Sequence, residues 1–375
     1  MDKRPILQIK RLYFIDAIRA FAILMMLQGH FIDTLLAIEY REPNSIVYST
    51  WLYFRGITAP VFFTISGLIF TYLLIKAKEK GTLPLRIRKG LVRGLMLVGI
   101  GYALRIPIFR WLTGSFGTYF LVIDVLQCIG LSLILIVGVY LLTRKKTLIF
   151  SFVMFCLGTL IFLCEPLYRS YTAEGIPLFF ANYVTKVNGS VFTIFPWFGY
   201  MAFGAFIATL FYGYLVRPKF KIAIVTGFFI AGAFLIFLST NLLHWLSTVF
   251  DCSLFLEAAN FNYLFIRLGN VLIIFGLFYA LETNLKHPVI LKIGQKTLSI
   301  YIIHFILLYG SFTGMGLNRI LGKNLNPLEA VLGAICFLLI VSLISIYIIK
   351  ANTNIYKYIT DKLRFLKTLI KSSNN

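Results

Sequence analysis

The sequence predicts an all-α polytopic membrane protein, a single bundle of about ten transmembrane helices with both termini cytoplasmic. Three observations carry this expectation. The 375-residue chain is 59% apolar and only 13% charged, whereas soluble domains carry about 25% charged residues. Apolar runs of about 18 residues or more, the length that suits a bilayer, recur along the chain, and its mean hydropathy is +0.86. The connections between these runs alternate between strongly basic and weakly charged.

The first run is 14–38, FIDAIRAFAILMMLQGHFIDTLLAI. No small-residue cleavage site follows it promptly, so it reads as a retained helix and not as a cleaved signal. Further spans are expected at 51–75, 87–107, 119–142, 147–163, 195–215, 221–239, 263–283, 295–311 and 327–349. Cations mark every second connection. Lys3, Arg4, Lys10 and Arg11 precede the first span, and Lys76, Lys78, Lys80, Arg86, Arg88 and Lys89 follow the second. Arg144 to Lys146, then Arg217, Lys219 and Lys221, then Lys286, Lys292 and Lys296 continue the pattern, and Lys357 to Lys371 close it. Cytoplasmic loops collect Lys and Arg, which sets the orientation and the count. Residues 1–350 are expected to form the bundle and 351–375 a basic amphipathic tail on the inner leaflet. Of the external connections, 164–194 is long and rich in aromatic and polar residues, and 250–262 could hold a re-entrant or interfacial piece.

The formal charge of +22 invites nucleic acid as a partner. The cations instead sit in short tracts between apolar segments, as positive-inside topology and anionic lipid require, so no nucleic-acid role is expected. The five cysteines form no CxxC pair; Cys164 and Cys252 both fall near external connections, which leaves a disulfide open. The four histidines have no metal-ligand spacing, so no metal site is expected.

Charge inside the apolar runs points to a site, because ionisable groups at membrane depth are costly and face protein or a watery cavity. In the first run Arg19 and His30 are eleven residues apart, close to three helical turns, hence on one face and roughly 16 Å apart along the axis. Asp16 and Asp33 flank that face. A neutral imidazole at His30 can take a proton from a hydroxyl or amine; a packing histidine is the plain alternative. Asp33 could orient His30 or be a helix-end charge facing water. Asp16 and Arg19 could form a structural pair, or Arg19 with Arg93 could hold donor phosphates. The topology sends Arg55, Asp124, Gln127, Arg267, Asn270 and His304 toward the outer half of the bundle. They could line a pocket there, or, for Arg55 and Arg267, snorkel to headgroups.

These residues resemble two related groups of multi-span membrane acyltransferases, the heparan-alpha-glucosaminide N-acetyltransferase-like group and acyltransferase family 3. RLYFIDAIRAFAILMMLQGH at 11–30 looks like the family opening, with Arg19 and His30 at its functional positions. ITAPVFFTISG at 57–67, DVLQCIGLSLIL at 124–135, FPWFGYMAFGAFIA at 195–208 and IGQKTLSIYIIHF at 293–305 match further blocks. The resemblance implies transfer of an acyl group, commonly acetyl, from cytosolic acyl-CoA to a sugar beyond the membrane. The glycine usual after Arg19 is Ala20, and residues 39–50 lack the histidine proposed as catalytic in the lysosomal enzyme. That departure favours direct transfer, with His30 as base, over a covalent acetyl-histidine.

The function expected is therefore acyl transfer from acyl-CoA, with no tightly bound cofactor, to a glycan or glycolipid acceptor. Membrane lipids and a homo-oligomer are the other expected partners, and a bacterial-type inner membrane is the expected location. His30 and Asp33 would act on the acceptor. Arg19, Arg93 and Asp16 would hold the donor. Arg55, Asp124, Gln127, Arg267, Asn270 and His304 would contact the acceptor or the carbonyl. A transporter or flippase for a lipid-linked or amphipathic solute is equally compatible with intramembrane charge. A non-catalytic binding protein that keeps the bundle is the third reading.

Overall fold

The computed structural model describes residues 12–348 together with Tyr358, Asp361 and Lys362. Both termini, and most of the expected basic tail, lie outside the described residues. The long helices are α1 (Tyr13–Leu35), α2 (Ile46–Glu79), α3 (Leu83–Ala103), α4 (Val125–Leu142), α5 (Thr147–Leu163) and α6 (Ile194–Tyr214). They continue with α7 (Phe220–Phe237), α8 (Tyr263–Ala280), α9 (Pro288–Gln295), α10 (Thr297–Tyr309) and α11 (Pro327–Leu343). Among the described residues extended pairing is confined to one bridge between Leu36 and Leu325.

The chain is an integral membrane protein. Among the described residues seven helices are long and apolar enough to cross a bilayer, and eight if α9 and α10 are taken as one span bent by 69°. The expected count of ten needs two more crossings. One would be α5, which is apolar but short, and the other α3, which carries Arg86, Arg88, Lys89 and Arg93. Residues 164–194 contain the short helices Glu165–Arg169 and Leu178–Val184. Ser253–Asn260 is the helical piece within 250–262. Cys164 and Cys252 are both free thiols, so the disulfide left open by the sequence is not formed.

Helix α1 is the centre. It packs against α2, α9, α10 and α11. Its first turn holds Asp16, where a carboxylate favours the helix dipole. At its other end Arg41 donates to the carbonyls of Asp33 at 2.8 Å and Leu36 at 2.6 Å, which satisfies acceptors that a helix end leaves open. Around α1, α2 runs along α6, α3 along α4, α5 along α6, and α7 along α8.

Lipid is as apolar as leucine, so water exclusion does not drive these helices together; close packing does. Glycine supplies it. A Cβ on Gly67 would lie 2.2 Å from the Met201 carbonyl oxygen, and one on Gly204 would lie 2.0 Å from that of Thr64. The 57–67 and 195–208 blocks are therefore the two faces of one crossing, closed by reciprocal glycines. At one end of the bundle Phe14 packs on Phe211 and Tyr279, with centroids 5.4 and 4.7 Å away.

Candidate active site

The polar stripe of α1 faces α10 and α9. His30 is half-buried, and its Nδ1 lies 2.7 Å from the Tyr309 hydroxyl. Thr34 donates to the same oxygen at 3.4 Å. If the Tyr309 oxygen also accepts from Nδ1–H, the Nε2 lone pair of His30 is left as the basic position. The ring of His304 lies 5.4 Å from that of His30, centroid to centroid. His304 is fully buried, and its ring nitrogens make no hydrogen bond of normal geometry, with only the backbone of Ile300 and Tyr301, on its own helix, as polar neighbours. A better-aligned partner from a bound molecule would bind favourably there.

Below this pair lies a cavity of about 470 Å3 lined by Asp16, Arg19, Arg86, Arg93, Thr297 and Tyr301, with apolar walls from α2 and α4. Arg19 donates to the Thr297 hydroxyl at 2.8 Å and lies 3.9 Å from Asp16. Thr297 opens α10 just past the bend at Lys296. A Cβ on Gly294 would meet the Asp16 carbonyl oxygen at 2.0 Å, so α9 reaches α1 only because that position is bare. The 293–305 block thus seats directly on the FIDAIR segment. Tyr301 lines the cavity and its ring packs on His304 at 4.9 Å. Cavity, Tyr301, His304 and His30 form a continuous series of contacts.

Several expectations are corrected. Asp33 does not orient His30: its carboxylate takes Arg55 at 2.7 Å and lies 3.8 Å from Arg41. The lateral offset of Asp33 on α1 aims it at α2, while His30 turns to α10. Asp124 and Gln127 are engaged within the fold. Asp124 caps α4, accepts from its first N–H at 2.8 Å, and pairs with buried Arg105 at 2.8 Å. Gln127 completes the capping box by accepting from the Asp124 N–H at 3.2 Å, and it is fully buried. That reciprocal arrangement is a helix-start device. Arg267 lies over the Tyr263 ring at 5.1 Å. Its Nη2 fills the space beside Gly56, where a Cβ would come within 2.9 Å. Asn270 accepts from the exposed Tyr53 hydroxyl at 3.0 Å. The structure therefore brings together His30 with His304, and Arg19 with Arg93 and Asp16. Asp124, besides capping α4 and pairing with Arg105, also meets the Tyr301 hydroxyl and so stays beside the histidines, whereas Gln127, Arg267 and Asn270 make other contacts.

Tyr309, Tyr301, Thr297 and Arg86 were not expected. Tyr309 follows His304 by five residues in an apolar stretch; the only sequence signal for it was a hydroxyl near an unexplained intramembrane histidine.

A polar stripe enclosed in a membrane-spanning helical bundle, with an imidazole pair above a cationic cavity, defines an integral membrane protein with a built intramembrane site. The family model for heparan-alpha-glucosaminide N-acetyltransferase, catalytic, matches residues 11–250, and the chain belongs to that family. A comparison with curated proteins finds no match. Thr297, Tyr301, His304 and Tyr309 lie beyond the matched residues, yet they complete the stripe that α1 begins.

Proposed function

We propose that the protein transfers an acetyl group from acetyl-CoA, or another acyl group from its CoA thioester, to a hydroxyl or amine of a glycan on the far side of the membrane. The observation that carries this is the unbroken series from a cavity bearing Arg19, Arg86 and Arg93, through Tyr301, to the His304 and His30 rings. The donor is cytosolic, because the expected orientation puts the arginine end of α1 inside. The bundle sits in a bacterial-type cytoplasmic membrane.

Arg19 and Arg93 hold donor phosphates by charge-assisted hydrogen bonds, and Asp16 holds Arg19. The thioester lies past Tyr301. His30 Nε2 removes the proton from the attacking hydroxyl or amine, and Tyr309 keeps the ring in place through Nδ1. The new C–O or C–N bond forms as the C–S bond breaks. The proton held by His30 goes to the departing thiolate, giving CoA and the acylated sugar. A ring N–H of His304 faces the carbonyl oxygen as negative charge develops there, where a fixed donor in a dry site counts most. Arg55, held by Asp33, stands at the outer mouth for the acceptor.

The test uses protein in lipid vesicles with radiolabelled acetyl-CoA and a glycan acceptor. His30→Ala should lower kcat by about 10³-fold or more, the scale for a lost general base, while donor binding and thermal unfolding hold. Unchanged turnover removes His30 from the reaction. The bend between α9 and α10 favours one second reading, a transporter, because broken helices commonly line transport sites. Solute movement without acyl-CoA consumption would select it.

A further inference from the structure

A second cavity, about 630 Å3, opens at the His30 end of α1. Its floor is Ile32 and Leu36 of α1. One wall is the start of α2, with Tyr48 and Trp51, and the other is the start of α11, with Ala330 and Val331. Nothing in the transfer mechanism above uses it.

The two ends of this groove differ in chemistry. At the rim Ile46 and Val47 are each 81% exposed, Leu328 is 68% exposed and Val331 49% exposed. Both helices belong to apolar spans, and on the orientation of the acyl-transfer reading the groove opens sideways at the outer edge of the bilayer. At the head end stand Glu39 and Glu42, in a chain whose formal charge is +22. Beside them Tyr48 and Trp51 are stacked with centroids 5.6 Å apart. Carboxylates repel a phosphate headgroup but accept hydrogen bonds from sugar hydroxyls or an ammonium, and an aromatic face suits the C–H face of a pyranose.

The groove leads to the site. The Trp51 indole donates to Gln28 on α1 at 2.9 Å, and Arg55 lies over its ring at 5.7 Å. Arg55 in turn holds Asp33, one turn from His30. A sugar stacked at Trp51 is thus a neighbour of the Arg55–Asp33 pair at the mouth of the imidazole pocket.

We infer that the acceptor is a glycolipid of the outer leaflet, with a neutral or amino sugar and no phosphate at its head, whose lipid chains lie between α2 and α11 while its sugar rests on Tyr48 and Trp51 toward His30. This rests on the acyl-transfer reading. It narrows the acceptor from any external glycan to one anchored in the membrane.

The experiment compares glucosyl- and glucosaminyl-diacylglycerol with the water-soluble methyl glycosides of the same sugars, in vesicles containing the full chain and labelled acetyl-CoA. The glycolipids should be acylated about tenfold or more faster, because the membrane pre-pays their positioning. Val331→Trp fills the apolar rim and should abolish that advantage while transfer to the methyl glycosides is retained; Val47→Trp, on the facing rim, should do the same. Equal transfer to both acceptor types, or a glycolipid advantage that survives both substitutions, overturns the inference and leaves acyl transfer standing. Binding is read separately, without acyl-CoA, as quenching of Trp51 fluorescence by brominated glycolipid, with Trp51→Phe as the blank. Quenching that Val331→Phe removes, in protein that transfers to no acceptor, would uphold the groove and fail the acyl-transfer reading. Equal quenching by brominated phosphatidylglycerol would make the groove an ordinary lipid seat and overturn the inference.

Discussion

The two ends of α1 carry similar side chains and put them to different use. At its N-terminal end Asp16 and Arg19 stand 3.9 Å apart beside a cavity of about 470 Å3 with Arg86 and Arg93. At its C-terminal end Asp33 binds Arg55, while His30 turns away to Tyr309 and His304. An acid next to a base in the sequence is a partner at one end and not at the other. The difference lies in what faces each residue. The first acid and base share a wall of α9 and α10, whereas the second pair is split between α2 and α10. On the proposed acyl transfer, the first end holds the charged donor and the second moves a proton.

Kinetics can break this division. The largest effect belongs to His30→Ala, where kcat should collapse with donor affinity intact; loss of donor affinity instead would erase the contrast between the ends. Arg19→Ala should act in the opposite sense, raising KM for acyl-CoA about tenfold, the loss of one charge-assisted contact, with kcat within about threefold. A kcat defect as deep as that of His30→Ala would place Arg19 in the chemistry. Tyr309→Phe removes the oxygen that meets His30 Nδ1, and kcat should fall about fivefold to tenfold, near the value of one hydrogen bond. Replacement without effect would mean that packing alone holds the imidazole. Asp33→Asn is the smallest: Asp33 and Arg55 are both more than a third exposed, such pairs contribute little, and turnover should stay within about twofold. A hundredfold loss there would restore Asp33 as the partner of His30 during turnover.

The helices and the stripe on α1 were legible because both follow from spacing. Apolar length marks a span, and an eleven-residue interval sets Arg19 and His30 on one face whatever surrounds them. The pairing of Arg19 with α10 and of Asp33 with α2 was not legible, since partners more than twenty residues away depend on how neighbouring helices rotate. Asp124 and Gln127 carry a second, structural use that the sequence reading passed over. Asp124 followed three residues later by Gln127 is a helix-start pattern; inside an apolar run it read as intramembrane polarity and drew a binding role. The bend at Lys296 went unseen because the expected span began at 295 and left out the arm Pro288–Gln295, and Gly294 marks a close approach to α1.

That bend bears on how the chain is made. The two arms, Pro288–Gln295 and Thr297–Tyr309, have 8 and 13 residues, each well short of the roughly 20 that let a helix rest alone in lipid. Neither arm can wait in the bilayer for the other; both must be taken up by α1, synthesised nearly three hundred residues earlier. Until they arrive, Arg19 and His30 face the membrane without Thr297 and Tyr309. The boundary of the family match at residue 250 therefore falls before the segments that complete the polar stripe of α1.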